Sequence, residues 1–249
     1  MRKFFLICFV FPTNYIAAQD LRWGKVSKKE TNYTQCEFDK EAHAVVLASK
    51  GRISVSNGIY LSKHVRIKIL DKQGVDEANI VIPFYSFDDF ESISGLKAQT
   101  INIVNGKEEI EKVDRKLYFE EDINDKWKIK KFTFPRVQAG TIIEYQYSLR
   151  TSSYYFLEGW DFQSHLPVLY SELEAELPQN LTYNTIMKGR RLVEKYKEGN
   201  HRKWTLKNLP ALKEEPYVDN ISNYAEKISF QLASYKKRNN FQVSEEGVI

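Results

Sequence analysis

Cysteine is nearly absent: the 249 residues hold two, Cys8 and Cys36. Cys8 lies inside an N-terminal apolar run and no small residue precedes it, which argues against a lipid attachment site. If that leader is removed, Cys36 is the only thiol, no internal disulfide forms, and stability comes from core burial. Over 200 residues would remain, ample for a core. Histidine is also scarce. His43, His64, His165 and His201 fall in different hairpins, and no two have metal-ligand spacing. There is no His-Glu-x-x-His pair, Cys-x-x-Cys, Gly-x-Ser-x-Gly elbow or phosphate-cradling glycine loop. Thr34-Gln35-Cys36-Glu37 precedes a strand and shows no helix N-terminus to depress the thiol pKa. The acidic run Glu120-Glu121-Asp122 is better explained as a charged loop than as acid–base machinery. The sequence therefore predicts no enzyme: no catalytic residue, no cofactor and no metal.

Charge of one sign is lacking too. There are 37 basic and 33 acidic residues, net +4, and without Arg2 and Lys3 the balance is +2. A nucleic-acid groove needs a basic face. The one dense basic patch, Lys236-Lys237-Arg238, reads as a solvated linker. The longest apolar run, Phe4–Phe11, has eight residues, far short of the roughly 20 that span a bilayer. It follows Arg2-Lys3 and precedes Pro12 and the small residues Ala17-Ala18, the layout of a cleavable secretory leader. We expect residues 1–19 to be a signal peptide cut near Ala18, a β-domain over 20–235, a linker-like tail over 236–249, and a periplasmic or secreted location with no transmembrane span. The sequons at Asn32, Asn180 and Asn220 carry little weight beside a bacterial-type leader.

What the sequence has in quantity is alternation. Ile143, Tyr145, Tyr147 and Leu149 alternate with Glu144, Gln146, Ser148 and Arg150, the period of a strand with one buried and one wet face. Ser171, Leu173, Ala175 and Leu177 alternate with three glutamates, and Val65, Ile67 and Ile69 with His64, Arg66 and Lys68. Asn57-Gly58 and Asn105-Gly106 separate extended runs as type I′ hairpin turns do. Asp71-Lys-Gln-Gly74 and Glu198-Gly199-Asn200 mark further turns, the second joining strands at Leu192–Lys197 and His201–Leu206. Helical signal is confined to one turn over Gly24–Glu30, capped by Ser27 with Glu30 three residues on, and a short turn within Phe119–Lys128. There is no repeat, heptad or low-complexity tract. The pattern predicts an all-β, antiparallel β-sandwich of about a dozen short strands with few short helices, as one sandwich or two packed β-subdomains. Ile67, Ile69, Ile143, Tyr145 and Leu173 form its core.

Between two of these strands lies a knot of rings: Tyr154, Tyr155, Phe156, Trp160 and Phe162. Such rings usually seal a core, and Trp160 is expected to anchor a long loop beneath the crossover from Thr141–Arg150 to Val168–Leu177. Tyr154, Tyr155, Phe156 and Trp160 are also the candidate ligand-stacking residues.

Several stretches together resemble the DUF3857 domain of secreted proteins from Bacteroidetes-type bacteria. They are Asp39–Leu47, His64–Leu70, Phe134–Gly140 running into Thr141–Tyr147, Trp160–Gln163, Pro167-Val168 with Ser171-Glu172, and Asn220–Tyr224 with Ser229–Leu232. The resemblance runs from about Trp23 to Tyr235. It implies a β-domain that precedes a transglutaminase-like domain with a papain-type Cys-His-Asp site. That site has no matching positions here, because the sequence stops at Ile249, and Cys36 does not match the family's catalytic cysteine. The expected function is an exported, non-catalytic β-sandwich module accessory to a transglutaminase-like domain or protein. The alternatives are a periplasmic protein binding a cell-envelope peptide or glycan, and the N-terminal fragment of a truncated transglutaminase-like enzyme.

Overall fold

The computed structural model describes residues 21–196, 201–213, 224–237 and 240–243, without the side chains of Phe156, Glu158 and 236–243. Residues 1–20, with the expected leader, lie outside the described residues, as do 244–249. Among the described residues, fourteen strands and two short helices follow in order. Helix α1 (Lys28–Thr31) comes first, then β1 (Ala44–Val55), β2 (Ile59–Ile69), β3 (Asn79–Tyr85), β4 (Glu91–Val104), β5 (Lys107–Lys112), β6 (Phe119–Asp122) and β7 (Trp127–Thr133). After them run β8 (Ile142–Thr151), β9 (Phe156–Asp161), β10 (Val168–Glu176), β11 (Leu181–Lys188), helix α2 (Arg190–Tyr196), β12 (Lys203–Leu209), β13 (Lys227–Lys237) and β14 (Asn240–Val243).

A seven-stranded sheet, ordered β12-β10-β1-β2-β8-β4-β5, forms the frame. Every neighbour pair in it is antiparallel except β1 with β10. Two smaller sheets, β3-β7-β6 and β11-β13 with β9 and β14, supply the second layer. Alternate apolar residues of the large sheet, among them Ile53, Val65, Ile67, Ile69, Ile143 and Leu173, meet Ile82 and Phe132 of one small sheet and Trp160 and Ile228 of the other in one core. The fold is thus an all-β sandwich, and the expected core holds: Ile67, Ile69, Ile143 and Leu173 are buried, with Tyr145 half-buried against them.

Trp160 lies in β9, not in a loop. The strand was hidden because its partner, β13, comes late in the chain: Trp160 sits opposite Ile228. The ring is 2% exposed, its Nε1 donates to Ser171 Oγ at 3.0 Å, and it lies flat against Gly51. A Cβ on Gly51 would come within 2.5 Å of the indole, so β1 carries glycine there to admit the ring.

Other local readings change for similar reasons. Residues 192–196 belong to helix α2 rather than to a strand. Leu192 is buried, and the amides of Arg191 and Leu192 donate to the Glu226 carboxylate at 2.9 and 2.8 Å, a cap supplied from far along the chain. The acidic run at Phe119–Asp122 is strand β6, paired antiparallel with β7. The expected linker over 236–249 begins as strand: β13 extends to Lys237, and β14 folds back on it from Lys237↔Asn240. Asn105 and Gly106 both take positive φ (51° and 76°), as type I′ requires, whereas at Asn57-Gly58 only the glycine does.

The second face of the large sheet is not wholly wet. Residues 22–36 strap across it. Val45, Leu47, Ile101, Ile142 and Leu169 meet Cys36, Val26 and Tyr33 there, and the polar positions beneath the strap are sealed in. Arg66 donates to Glu30 Oε1 at 2.6 Å, to Glu144 Oε1 at 2.5 Å and to the Arg22 carbonyl at 2.9 Å. Glu144 also accepts from Gly24 N–H (2.8 Å) and Gln99 Nε2 (2.7 Å) and pairs with His64 Nε2 (2.9 Å). Lys68 Nζ reaches the carbonyls of Thr31 and Gly140, and burial pulls its pKa down. The expected capping box is present and joins this cluster: Glu30 Oε2 accepts from Ser27 N–H at 2.7 Å while Ser27 Oγ accepts from Glu30 N–H.

Two outcomes follow. Trp160→Ala should cost about 3–5 kcal/mol, read as a lower denaturant midpoint; a variant melting like wild type would overturn the anchoring role. Burial pushes the Glu144 carboxyl up, but the His64 hydrogen bond, the Arg66 charge and the Gly24 amide outweigh it and hold it below its ordinary 4.5. Its stabilisation is therefore full above that value and is lost as pH falls through the lowered one. Glu144→Gln should flatten the loss of stability measured by urea titration below pH 4.5, relative to wild type. Equal slopes in the two proteins would refute this linkage.

Candidate functional site

The ring cluster divides between core and surface. Trp160 and Phe162 are buried, 2% and 1% exposed, and Trp160 is closed to any ligand. Phe156 contributes its backbone to β9, but its side chain lies outside the described residues. Tyr154 and Tyr155 sit in the β8–β9 connection at 37% and 62% exposure and line an open groove of about 500 Å³ with Val55, Ser56, Pro178, Leu181 and Tyr235.

The groove is built from four parts of the chain, the tyrosine segment and three others. The end of β1 supplies Val55, the β10–β11 connection brings Pro178 and Asn180, and β11 and β13 contribute Leu181, Leu232 and Tyr235. Tyr154 is held in place at both ends: its hydroxyl donates to the Ser56 carbonyl at 2.9 Å, and its own carbonyl accepts from Tyr183 Oη at 2.6 Å. Burial, followed by the neighbouring Tyr154, pushes the Tyr183 hydroxyl up to about 12, so it stays a donor at neutral pH. Tyr155 is braced through its amide, which donates to Ser153 Oγ at 3.2 Å, and its ring is exposed. Aromatic and aliphatic walls with Ser56 and Asn180 as polar groups suit a flat ring or an apolar side chain. Among the described residues, no titratable acid or base lines the groove besides tyrosine.

The remaining candidates lie apart. His43 pairs with Asp71, His64 with Glu144 and His165 with Glu77. The Glu77 hydrogen bond raises the His165 pKa. Cys36 is wholly buried under the strap. Among the described residues, no three His, Cys, Asp or Glu side chains are grouped to hold a metal, and no helix is long and apolar enough to cross a membrane. A second, polar cleft of about 330 Å³ lies on the open part of the large sheet between Lys50, Arg52, His64, Gln146, Glu172 and Glu174. Several of its charges have partners: Lys50 reaches Glu172 at 3.8 Å within the cleft, and from outside it Lys203 reaches Glu172 at 3.0 Å and Glu176 meets Arg52 at 2.5 Å. Sequence reading found the tyrosines on one wall of the groove and missed Tyr235, Leu232 and Leu181 opposite. The alternation of Tyr183, Thr185 and Met187 with Asn184, Ile186 and Lys188 was the available signal for a strand there.

Comparison with known proteins gives the fold a lineage. A crystal structure of a "putative protease" from Parabacteroides distasonis superposes with a TM-score of 0.61 at 15% identity, over 77% of this chain and 41% of that one. Yeast LTA4 hydrolase in complex with bestatin gives a TM-score of 0.33 at 10% identity, over 91% of this chain and 34% of that one. An M1 zinc metallopeptidase from Deinococcus radiodurans gives 0.32 at 8%, over 75% and 42%. The first likeness speaks to the fold, and nothing rests on the other two. This chain spans less than half the length of each. No curated protein matches it. A family model described as a domain of unknown function with a solved structure, DUF3857, matches residues 60–213. That stretch holds nearly all of β2 and every later strand of the large sheet, so this chain belongs to the DUF3857 family.

Proposed function

We propose that this chain is an exported, non-catalytic β-module that works beside a transglutaminase-like, papain-type domain, positioning or binding for it rather than turning over substrate. The observation that carries the reading is one of proportion: the same fold makes up 41% of a longer protein described as a "putative protease". The interior supports it. Cys36 is sealed beneath the N-terminal strap, and the three histidines with carboxylate partners lie in separate places. Export is part of the same proposal and rests on the basic, apolar and small-residue sequence of Arg2–Ala18.

A second reading has its own support. The groove beside Tyr154 and Tyr155 is open, aromatic and partly pre-formed by the Tyr154 hydrogen bonds, which suits a cell-envelope peptide or glycan. The two readings are compatible: a module that holds a substrate segment serves a neighbouring catalytic domain.

Purified protein should show no peptidase or transamidase turnover on casein or glutamine-donor peptides, and the mature chain should begin at Gln19 or Asp20 by mass spectrometry. Turnover abolished by a single substitution in this chain overturns the non-catalytic reading. An intact Met1–Phe11 segment overturns export.

A further inference from the structure

An uncovered strand edge offers a row of unpaired N–H and C=O groups, and proteins ordinarily blunt such edges. The strand edges here show how. In β5, five of the six residues are charged. The four residues of β6 include three acids, and β3 carries Pro83. Edge strand β12 is closed by side chains of α2: Thr205 N–H donates to Tyr196 Oη at 2.7 Å, and its carbonyl accepts from Lys195 Nζ at 2.6 Å. On the far side of β13, β9 is interrupted by a register shift and β14 is four residues long.

Strand β11 departs from this pattern. Its sequence, Leu-Thr-Tyr-Asn-Thr-Ile-Met-Lys, is eight residues long, has no proline and carries a single charge at its last position. It pairs with β13 in unbroken register from Tyr183↔Leu232 to Lys188↔Lys227, after one register shift between Thr182 and Tyr183 that skips a residue of β13. Among the described residues, no strand pairs with its other side. Asn184, Thr185 and Ile186 are exposed. Its first residue, Leu181, is also a wall of the tyrosine groove.

We propose that β11 accepts an extended peptide segment of another polypeptide as an added strand, with one aromatic or apolar side chain of that segment seated between Tyr154, Tyr155, Leu181 and Tyr235. Only another extended backbone matches the hydrogen-bonding period of a strand edge. At about 3.3 Å per residue, the run from Leu181 to Lys188 takes roughly eight residues of the incoming chain. Lys227, across the strand pair from Lys188, is already met by Asp161 at 3.1 Å, so the charge an incoming strand meets at that end is that of Lys188, which favours an acidic residue there, opposite in polarity to the groove end. The inference deepens the binding reading of the groove and rests on it for the side-chain seat. The edge itself stands on backbone geometry.

The probes are two acetylated, amidated nine-residue peptides alternating threonine and valine, with tyrosine at one terminus and glutamate at the other, made in both sequence directions. With the isotope-labelled chain in NMR titrations, one of them should bind saturably and slow amide exchange within Leu181–Lys188 while leaving β5 unchanged. N-methylating one alternate set of its amides should abolish binding, and N-methylating the other set should not. Asn184→Lys combined with Ile186→Lys, both at exposed positions, should weaken binding by about tenfold or more with an unchanged melting temperature. No saturable binding by either peptide at millimolar concentration, indifference to N-methylation, or protection elsewhere overturns the proposal. A β11-dependent dimer in sedimentation, without peptide binding, overturns it in favour of a second copy. Tyr155→Ala should weaken the tyrosine-bearing peptide and spare an all-valine version. Equal affinities remove the groove while leaving the edge to its own test.

Discussion

Arg66 is the pivot of the second face. A guanidinium 1% exposed is tolerable only when its charge is compensated, and here two carboxylates and a carbonyl meet its two terminal nitrogens, while Nε is left without a partner. One carboxylate, Glu144, belongs to the sheet. The other, Glu30, and the Arg22 carbonyl belong to the strap. The strap is therefore held by the need of a buried cation for partners as much as by the apolar contacts around Cys36. Breaking one member of such a cluster leaves a buried charge uncompensated, which typically costs about 3–5 kcal/mol. The capping box on α1 has a second use in this light: it fixes Glu30, so that one carboxylate oxygen completes the turn and the other meets Arg66.

The two faces of the large sheet follow different physics. One is an ordinary apolar interior, where β3, β7, β9 and β13 lay side chains onto alternate residues of β1, β2, β8 and β10. The other mixes an apolar patch around Cys36 with buried charge beneath the strap, and it is open at its far end, where Lys50, Arg52, Glu172 and Glu174 line a cleft. His64 lies between the two regimes. It is hydrogen-bonded to Glu144 inside and tilted against the Trp23 ring, and it also lines the open cleft.

Much of this was legible in the sequence. Alternation placed Ile143, Ile67 and Leu173 in the core, because period two is set by the strand itself. The Ser27–Glu30 box was readable because its signal spans three residues. What escaped were features whose cause lies far along the chain. Glu144 and Arg66 alternate as wet-face residues do, and nothing local says that residues 22–36 will cover them. Helix α2 hides behind a cap from Glu226, and β9 behind a partner in β13. In the candidate site, the tyrosines were visible as a local cluster, whereas the opposite wall comes from β11 and β13 and has no local signature.

The parallel pairing of β1 with β10 bears on how the chain acquires its shape. Val46 lies beside Val168, so the centre of the large sheet is complete only after most of the chain is available. Until then β1, whose first half is the apolar run Ala44–Ala48, presents a free edge beside β2. Long-range pairings of this kind slow folding, and they expose a partly built sheet to association with other chains during that delay. The order of assembly therefore matters for this protein: the β1–β2, β4–β5 and β6–β7 hairpins can form locally, but the chain's own late strand must win β1 before a neighbour does.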